Sequence, residues 1–146
     1  MPRTVVSPVE TAARLRLAIV RTARRLRQEA GGELTPSSAA ALATIERRGP
    51  LAPSELAEIE RVKRPTITRV LARLEQAGLV ERTGDPVDGR ASLVSVTREG
   101  SELMRRIRTR KNAYLAKRLG KLDPDDLAAL ERAADVLERI LEDDRL

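Results

Sequence analysis

Gly78-Leu79-Val80-Glu81-Arg82-Thr83-Gly84-Asp85-Pro86-Val87-Asp88-Gly89-Arg90-Ala91-Ser92-Leu93-Val94-Ser95-Val96-Thr97-Arg98-Glu99-Gly100 is the stretch on which the fold turns. Leu79–Thr83 and Ala91–Val96 are short apolar runs of strand character, and the Gly84–Arg90 segment between them is polar. Gly84 and Gly89 let the chain reverse sharply, and Asp85-Pro86 favours turn initiation. The reading is a β-hairpin with Arg90 projecting from its tip. Asp88, two residues earlier, can bond Arg90 or the loop backbone and hold the arginine extended.

Immediately before the hairpin the spacing predicts two short helices. Pro53 opens the first, roughly 53–59, with Glu55 in its first turn. Arg61-Val62-Lys63 forms a turn, and a second helix starts at or near Pro65 and ends at Gly78. On a 100° wheel, Ile67, Val70, Leu71 and Leu74 fall in one stripe that must face a core. The opposite side carries Pro65, Thr66, Arg69, Ala72, Arg73 and Gln76, with Thr68 on the flank. Small residues and arginines on one outward face suit entry into a DNA major groove, where arginine can bond a guanine edge in bidentate fashion. Threonine can contact phosphate or a thymine methyl. Lys63 and Arg64 sit beside a helix N-terminus whose dipole favours phosphate. Arg90 at the tip suits a narrow minor groove, which concentrates negative potential. A solvated helix face and an ordinary surface hairpin are the plainer readings of each part alone; the succession of the two favours DNA.

Further out, the chain reads as helix from about Pro8 to Ala30, with Leu15, Ile19, Ala23, Leu26 and Ala30 at steps of three or four. Gly31-Gly32 ends it. Thr35-Pro36 caps and opens a helix that Gly49-Pro50 stops. Thr97 can cap a long helix to about Leu119. Asp123-Pro124-Asp125-Asp126 then starts the last helix, where Leu127, Leu130, Ala134, Leu137 and Leu141 follow the spacing of a helix-pairing seam. The acidic run resembles a metal cluster but falls where a helix start favours anions. Glu55, Glu58 and Glu60 likewise read as solvated or salt-bridged carboxylates rather than a hydrolytic pair.

Composition narrows the function. The 146 residues include no His, Cys, Phe or Trp, and Tyr114 is the only aromatic. Without His or Cys, zinc sites, thiolate nucleophiles and imidazole acid–base catalysis are excluded, so no enzyme and no cofactor are expected. A core of Leu, Val, Ile and Ala buries less area per residue than aromatics would, and dimerisation would enlarge it. The formal charge of +6 is unevenly spread. Residues 61–110 hold 12 Lys/Arg against 6 Asp/Glu, and residues 119–146 hold 4 against 9. The positive charge therefore lies on the segment already singled out. No apolar run is long enough for a membrane span or a signal peptide, so the expectation is a soluble, cytoplasmic protein with no membrane partner.

The stretch Leu51–Gly100 resembles the MarR family of bacterial transcriptional regulators. The matching segments are Ser54-Glu55-Leu56-Ala57, Thr66-Ile67-Thr68-Arg69-Val70, Leu74 to Arg82, Asp88-Gly89-Arg90, and Val94-Ser95-Val96-Thr97-Arg98-Glu99-Gly100. The flanking helices have the family's lengths and order. The resemblance implies a mainly α fold with a small β-hairpin wing: a winged helix-turn-helix lobe, residues 35–98, between dimerisation helices at 1–34 and 99–146. It implies a homodimer paired through the first helix and the last two, with Leu15, Ile19, Leu127, Leu130, Leu137 and Leu141 at the interface. It also implies a palindromic operator, major-groove reading by the Thr66–Arg69 helix, and Arg90 in the minor groove. Lys63, Arg64, Pro65, Thr68, Arg73, Asp88 and, as a phosphate contact, Ser54 complete the expected DNA-binding set.

Family members commonly repress transcription, and many release DNA when a small anionic or aromatic ligand or an oxidant acts. Lack of cysteine removes the peroxide-sensing variety. Lack of aromatics means a ligand cleft of aliphatics and arginines, with Tyr114 the one stacking candidate. Where the family often has Gly in the inter-helix turn, this chain has Glu60-Arg61. Where Ser usually opens the recognition helix it has Lys63-Arg64-Pro65, which implies more phosphate contact and less capping. Two other readings fit the residues: a sequence-tolerant architectural DNA coater, given 24 Arg to 4 Lys, and a protein-interaction adaptor on the same fold.

Overall fold

The computed structural model describes residues 5–84, 87 and 92–143. In chain order its elements are α1 (Pro8–Glu29), α2 (Pro36–Arg48), α3 (Pro53–Glu60), α4 (Arg64–Gln76), β1 (Val80–Gly84), β2 (Ser92–Val96), α5 (Arg98–Leu119) and α6 (Pro124–Asp143). This is the expected mainly helical chain with a two-stranded antiparallel wing. The strands start one residue later than the sequence suggested for the first, and Ala91 lies outside the described residues.

Local chemistry explains the boundaries. Thr35 accepts the Ser38 N–H through its hydroxyl at 3.2 Å, with Pro36 at the first helical position. The Glu55 carboxylate accepts the Ala52 N–H at 3.3 Å and steadies the start of α3. Asp123 accepts the Asp126 N–H at 2.9 Å, so this carboxylate caps α6 as expected. Thr97 has two tasks. Its hydroxyl donates to the Gly78 carbonyl at 2.6 Å and accepts the Gly100 N–H at 3.1 Å, which joins the end of the α4 segment to the start of α5.

Gly100 is required by close approach. A Cβ there would lie 2.2 Å from the Leu79 carbonyl oxygen and 2.8 Å from Val96 Cγ2.

The chain divides into two compact units, Met1–Lys111 and Asn112–Leu146. The first holds the core. Leu42, Ile45, Leu56, Leu71, Leu74 and Val94 are its largest fully buried side chains, drawn from α2, α3, α4 and β2. Ile67, Val70, Leu71 and Leu74, the stripe expected to face inward, are all buried. In the wing, Val80 pairs with Val96 and Gly84 with Ser92. Leu51 extends this sheet by one residue: its N–H donates to the Val94 carbonyl at 3.1 Å and Val94 returns the bond at 2.9 Å. That bridge, invisible to periodicity, fixes the base of the wing to the α2–α3 connection.

In the second unit Arg118 places its guanidinium 3.7 Å from the centroid of the Tyr114 ring, so one face of the stacking candidate is covered.

Candidate nucleic-acid interface

The candidate reading helix is α4, and its orientation follows from where its apolar residues go. With Ile67, Val70, Leu71 and Leu74 buried, Pro65, Thr68, Arg69, Ala72, Arg73 and Gln76 are left exposed, along with Lys63 and Arg64 at the start. Thr66 differs. It is half buried and lines a notch with Pro36, Ser37 and Ala40, because it lies one residue before Ile67 and one turn before Val70, at the edge of the inward stripe.

Thr68 donates its hydroxyl to the Arg64 carbonyl, four residues back, at 3.0 Å. The proton is thereby engaged, and the methyl group is what the side chain has left to offer a thymine. Lys63 precedes the helix in extended backbone and makes no side-chain cap, as the departure from Ser implied.

The electrostatics favour an anionic partner. Among the described residues none of Arg61, Lys63, Arg64, Arg69 and Arg73 has a carboxylate partner, and all five are exposed. Some cations elsewhere on the chain are paired, Arg82 with Glu75 at 3.1 Å, Arg98 with Glu102 at 3.2 Å, and Arg108 with Glu46 at 2.7 Å, while others such as Arg47, Arg48 and Arg106 are exposed without an ion pair among the described residues. The Arg82–Glu75 pair ties β1 to the last turn of α4, so wing and reading helix are linked directly. Being partly exposed, it contributes about 0.2–1 kcal/mol.

Two residues position the helix pair, and the first escaped the sequence reading. Thr44, buried in α2, donates its hydroxyl to Oε1 of Glu60, the last residue of α3. Glu60, half buried, is thus hydrogen-bonded within the fold rather than salt-bridged among the described residues, and it anchors the turn that leads into α4. A polar pair 16 residues apart leaves no mark on local pattern. The second is Arg61, whose backbone is left-handed at φ 53° and ψ 44°.

Ser54 sits half buried in the first turn of α3. Asp88 and Arg90, the wing-tip pair, lie outside the described residues. Leu15, Ile19, Leu127, Leu130 and Leu141 are exposed and Leu137 half buried. No cluster of metal-ligating side chains occurs among the described residues, and no described helix is long and apolar enough to cross a membrane.

The sequence profile of the MarR family matches residues 34–92, which span α2 through the first residue of β2. A transcriptional regulator of the helix-turn-helix type from Mycobacterium leprae is 38% identical over 138 residues, 94% of this chain and 96% of that protein. The chain belongs to the MarR family.

Another relative, the helix-turn-helix transcriptional repressor MdtR of Bacillus subtilis, is 31% identical over 73% of each chain. Among solved structures, a Pseudomonas aeruginosa protein described as a transcriptional regulator superposes with a TM-score of 0.81 at 31% identity, covering 92% of this chain and 96% of that one. The MarR assignment places the chain among regulators of transcription rather than enzymes, and the wing and six helices found here agree with that fold.

Proposed function

We propose that this MarR family member is a homodimeric, sequence-specific DNA-binding repressor, with residues 35–98 forming the lobe that meets DNA and the terminal helices pairing two copies. The observation that carries the reading is the row of five exposed, unpaired cations from Arg61 to Arg73, on and just before the outward face of α4. A groove-facing helix needs uncompensated charge for phosphate and guanidinium forks for bases. Lys63 and Arg64 hold phosphates at the helix start, Arg69 and Arg73 face base edges, Thr68 offers its methyl, and Arg90 enters the minor groove with Asp88 steadying it. Two lobes related by a two-fold axis read half-sites about one helical turn apart.

Selection of bound genomic fragments, followed by titration of the selected duplex against random duplex at physiological salt, tests this. A specific reader keeps a preference of roughly 10³-fold or more, whereas an architectural coater does not. An adaptor lacks salt-dependent duplex binding altogether. Arg69→Ala should weaken binding and relax selectivity at one base position by ~1–3 kcal/mol. Arg90→Ala should weaken binding with loss of preference for narrow-groove flanks. Unchanged footprints and affinities in both variants would refute the assignment.

Release by a ligand is part of the same proposal. A cleft of about 360 Å³ in the first unit is walled by Leu26, Ala30, Met104 and Ile107, with Arg27, Lys111 and Glu33 also lining it, the Glu33 carboxylate being paired with Arg110. Aliphatic walls with two cations suit a small organic anion. Such a ligand would favour a lobe position mismatched to the half-sites and so lower operator affinity.

A further inference from the structure

Arg61 is the one described residue other than glycine with a positive φ; Gly31, Gly32, Gly49 and Gly78 are the rest. It closes α3 in a doubly bonded turn, with the Val62 N–H donating to the Ala57 carbonyl at 3.0 Å and its own N–H to the Glu58 carbonyl at 3.2 Å. This is the Schellman arrangement, whose left-handed position favours glycine because a Cβ there crowds the neighbouring carbonyl. An arginine strains the turn.

Beyond those two backbone bonds, no contact of the Arg61 side chain inside the described chain offsets that strain. The side chain is exposed and has neither an ion pair nor a hydrogen bond among the described residues. The nearest carboxylate in sequence, on Glu60, is engaged by Thr44. A strained backbone whose side chain meets nothing of its own molecule indicates a contact outside it. The position also fits: Arg61 stands in the turn of the helix pair, two and three residues before Lys63 and Arg64, and off the face of α4 that would meet bases.

We propose that Arg61 is a DNA-phosphate contact, a binding residue in the turn that anchors the backbone flanking the groove read by α4. The inference rests on the DNA-binding reading above. A phosphate contact carries no sequence information but adds to the salt dependence of binding. The geometry therefore predicts opposite effects of one substitution: glycine at this position relieves the backbone and removes the charge.

The test uses the full chain and a mixed-sequence duplex of about 30 base pairs, roughly three helical turns. R61G should raise the melting temperature by about 2–4 °C while weakening duplex binding roughly tenfold, and should lower the slope of log affinity against log salt by about 0.9 for each copy on the duplex. R61N, which tolerates the left-handed backbone without a charge, should bind as R61G does, and R61K should keep the wild-type slope. Unchanged affinity and slope in R61G, with wild type binding in a salt-dependent way, would overturn the role of Arg61 alone. Loss of binding together with lowered melting in both R61G and R61N would also overturn it, since the residue would then be structural. Absence of salt-dependent binding by the wild-type chain would remove the DNA reading and this inference with it.

Discussion

At the scale of single residues, the polar pair beneath the turn sets the aim of α4. Thr44 is 3% exposed, so its hydroxyl has little access to water, and Glu60 is its acceptor. Leaving a buried donor unmade costs about 1–3 kcal/mol. A helical threonine can instead turn its hydroxyl toward the carbonyl four residues earlier, which limits the loss. Glu60→Ala should therefore destabilise by about 1 kcal/mol, a melting decrease of roughly 2–4 °C. Glu60→Gln, which keeps an acceptor, should melt within about a degree of wild type. If the alanine and glutamine variants melt together, the pair does not anchor the turn. The chemistry at Arg61 runs the other way: there the backbone is strained and the side chain free, so removing the side chain stabilises the fold.

At the scale of elements, the wing works only if its base is fixed. Three connections do this: the Leu51–Val94 bridge, the Arg82–Glu75 pair and the Thr97 hydroxyl between Gly78 and Gly100. Gly100 is where they are most vulnerable. A methyl group there would meet a backbone carbonyl rather than a flexible side-chain end, so α5 must move away from Leu79. Gly100→Ala should cost about 1–3 kcal/mol, the range for overpacking a filled site. It should also weaken duplex binding, because the displaced strand carries the wing. Thermal unfolding and titration with duplex check both, and a wild-type melting curve would show that the approach relaxes cheaply.

This level was also the one most legible in sequence. The stripe from Ile67 to Leu74 was readable because helical periodicity and burial agree there, and Arg69 and Arg73 followed as outward by subtraction. Thr97 was readable as a cap, whereas Gly100 entered only as part of a matching family segment. Leu51 was not readable, since a single bridging residue has no period. The left-handed Arg61 was legible only as a departure from the family's glycine, because local propensity assigns that backbone to glycine and the turn overrides it. Thr66 was placed too far outward because it sits on the margin between the two faces, where a wheel cannot decide.

For the whole molecule the question is what covers the terminal helices. α1 and α6 each carry an apolar stripe, yet neither has a buried residue in the described chain. Leu130 is 49% exposed and Leu141 62%, and most of a helix's stability in a protein comes from packing its apolar face rather than from propensity. A core without Phe or Trp adds to the demand for buried area. Pairing with a second copy, as proposed, would meet it, and the acidic stretch 119–146 suits a surface kept away from DNA while residues 61–110 carry the basic excess. Replacing Leu130 and Leu141 together with Glu should then yield monomers at micromolar concentration by sedimentation. Duplex affinity should fall by about 10²–10⁴, because two weakly binding lobes lose the gain from being joined. Far-ultraviolet dichroism distinguishes a folded monomer, which keeps the helices of residues 35–98, from general unfolding. A double variant that sediments as a dimer and binds duplex normally would place the pairing surface elsewhere, and the exposed leucines of α6 would need another partner.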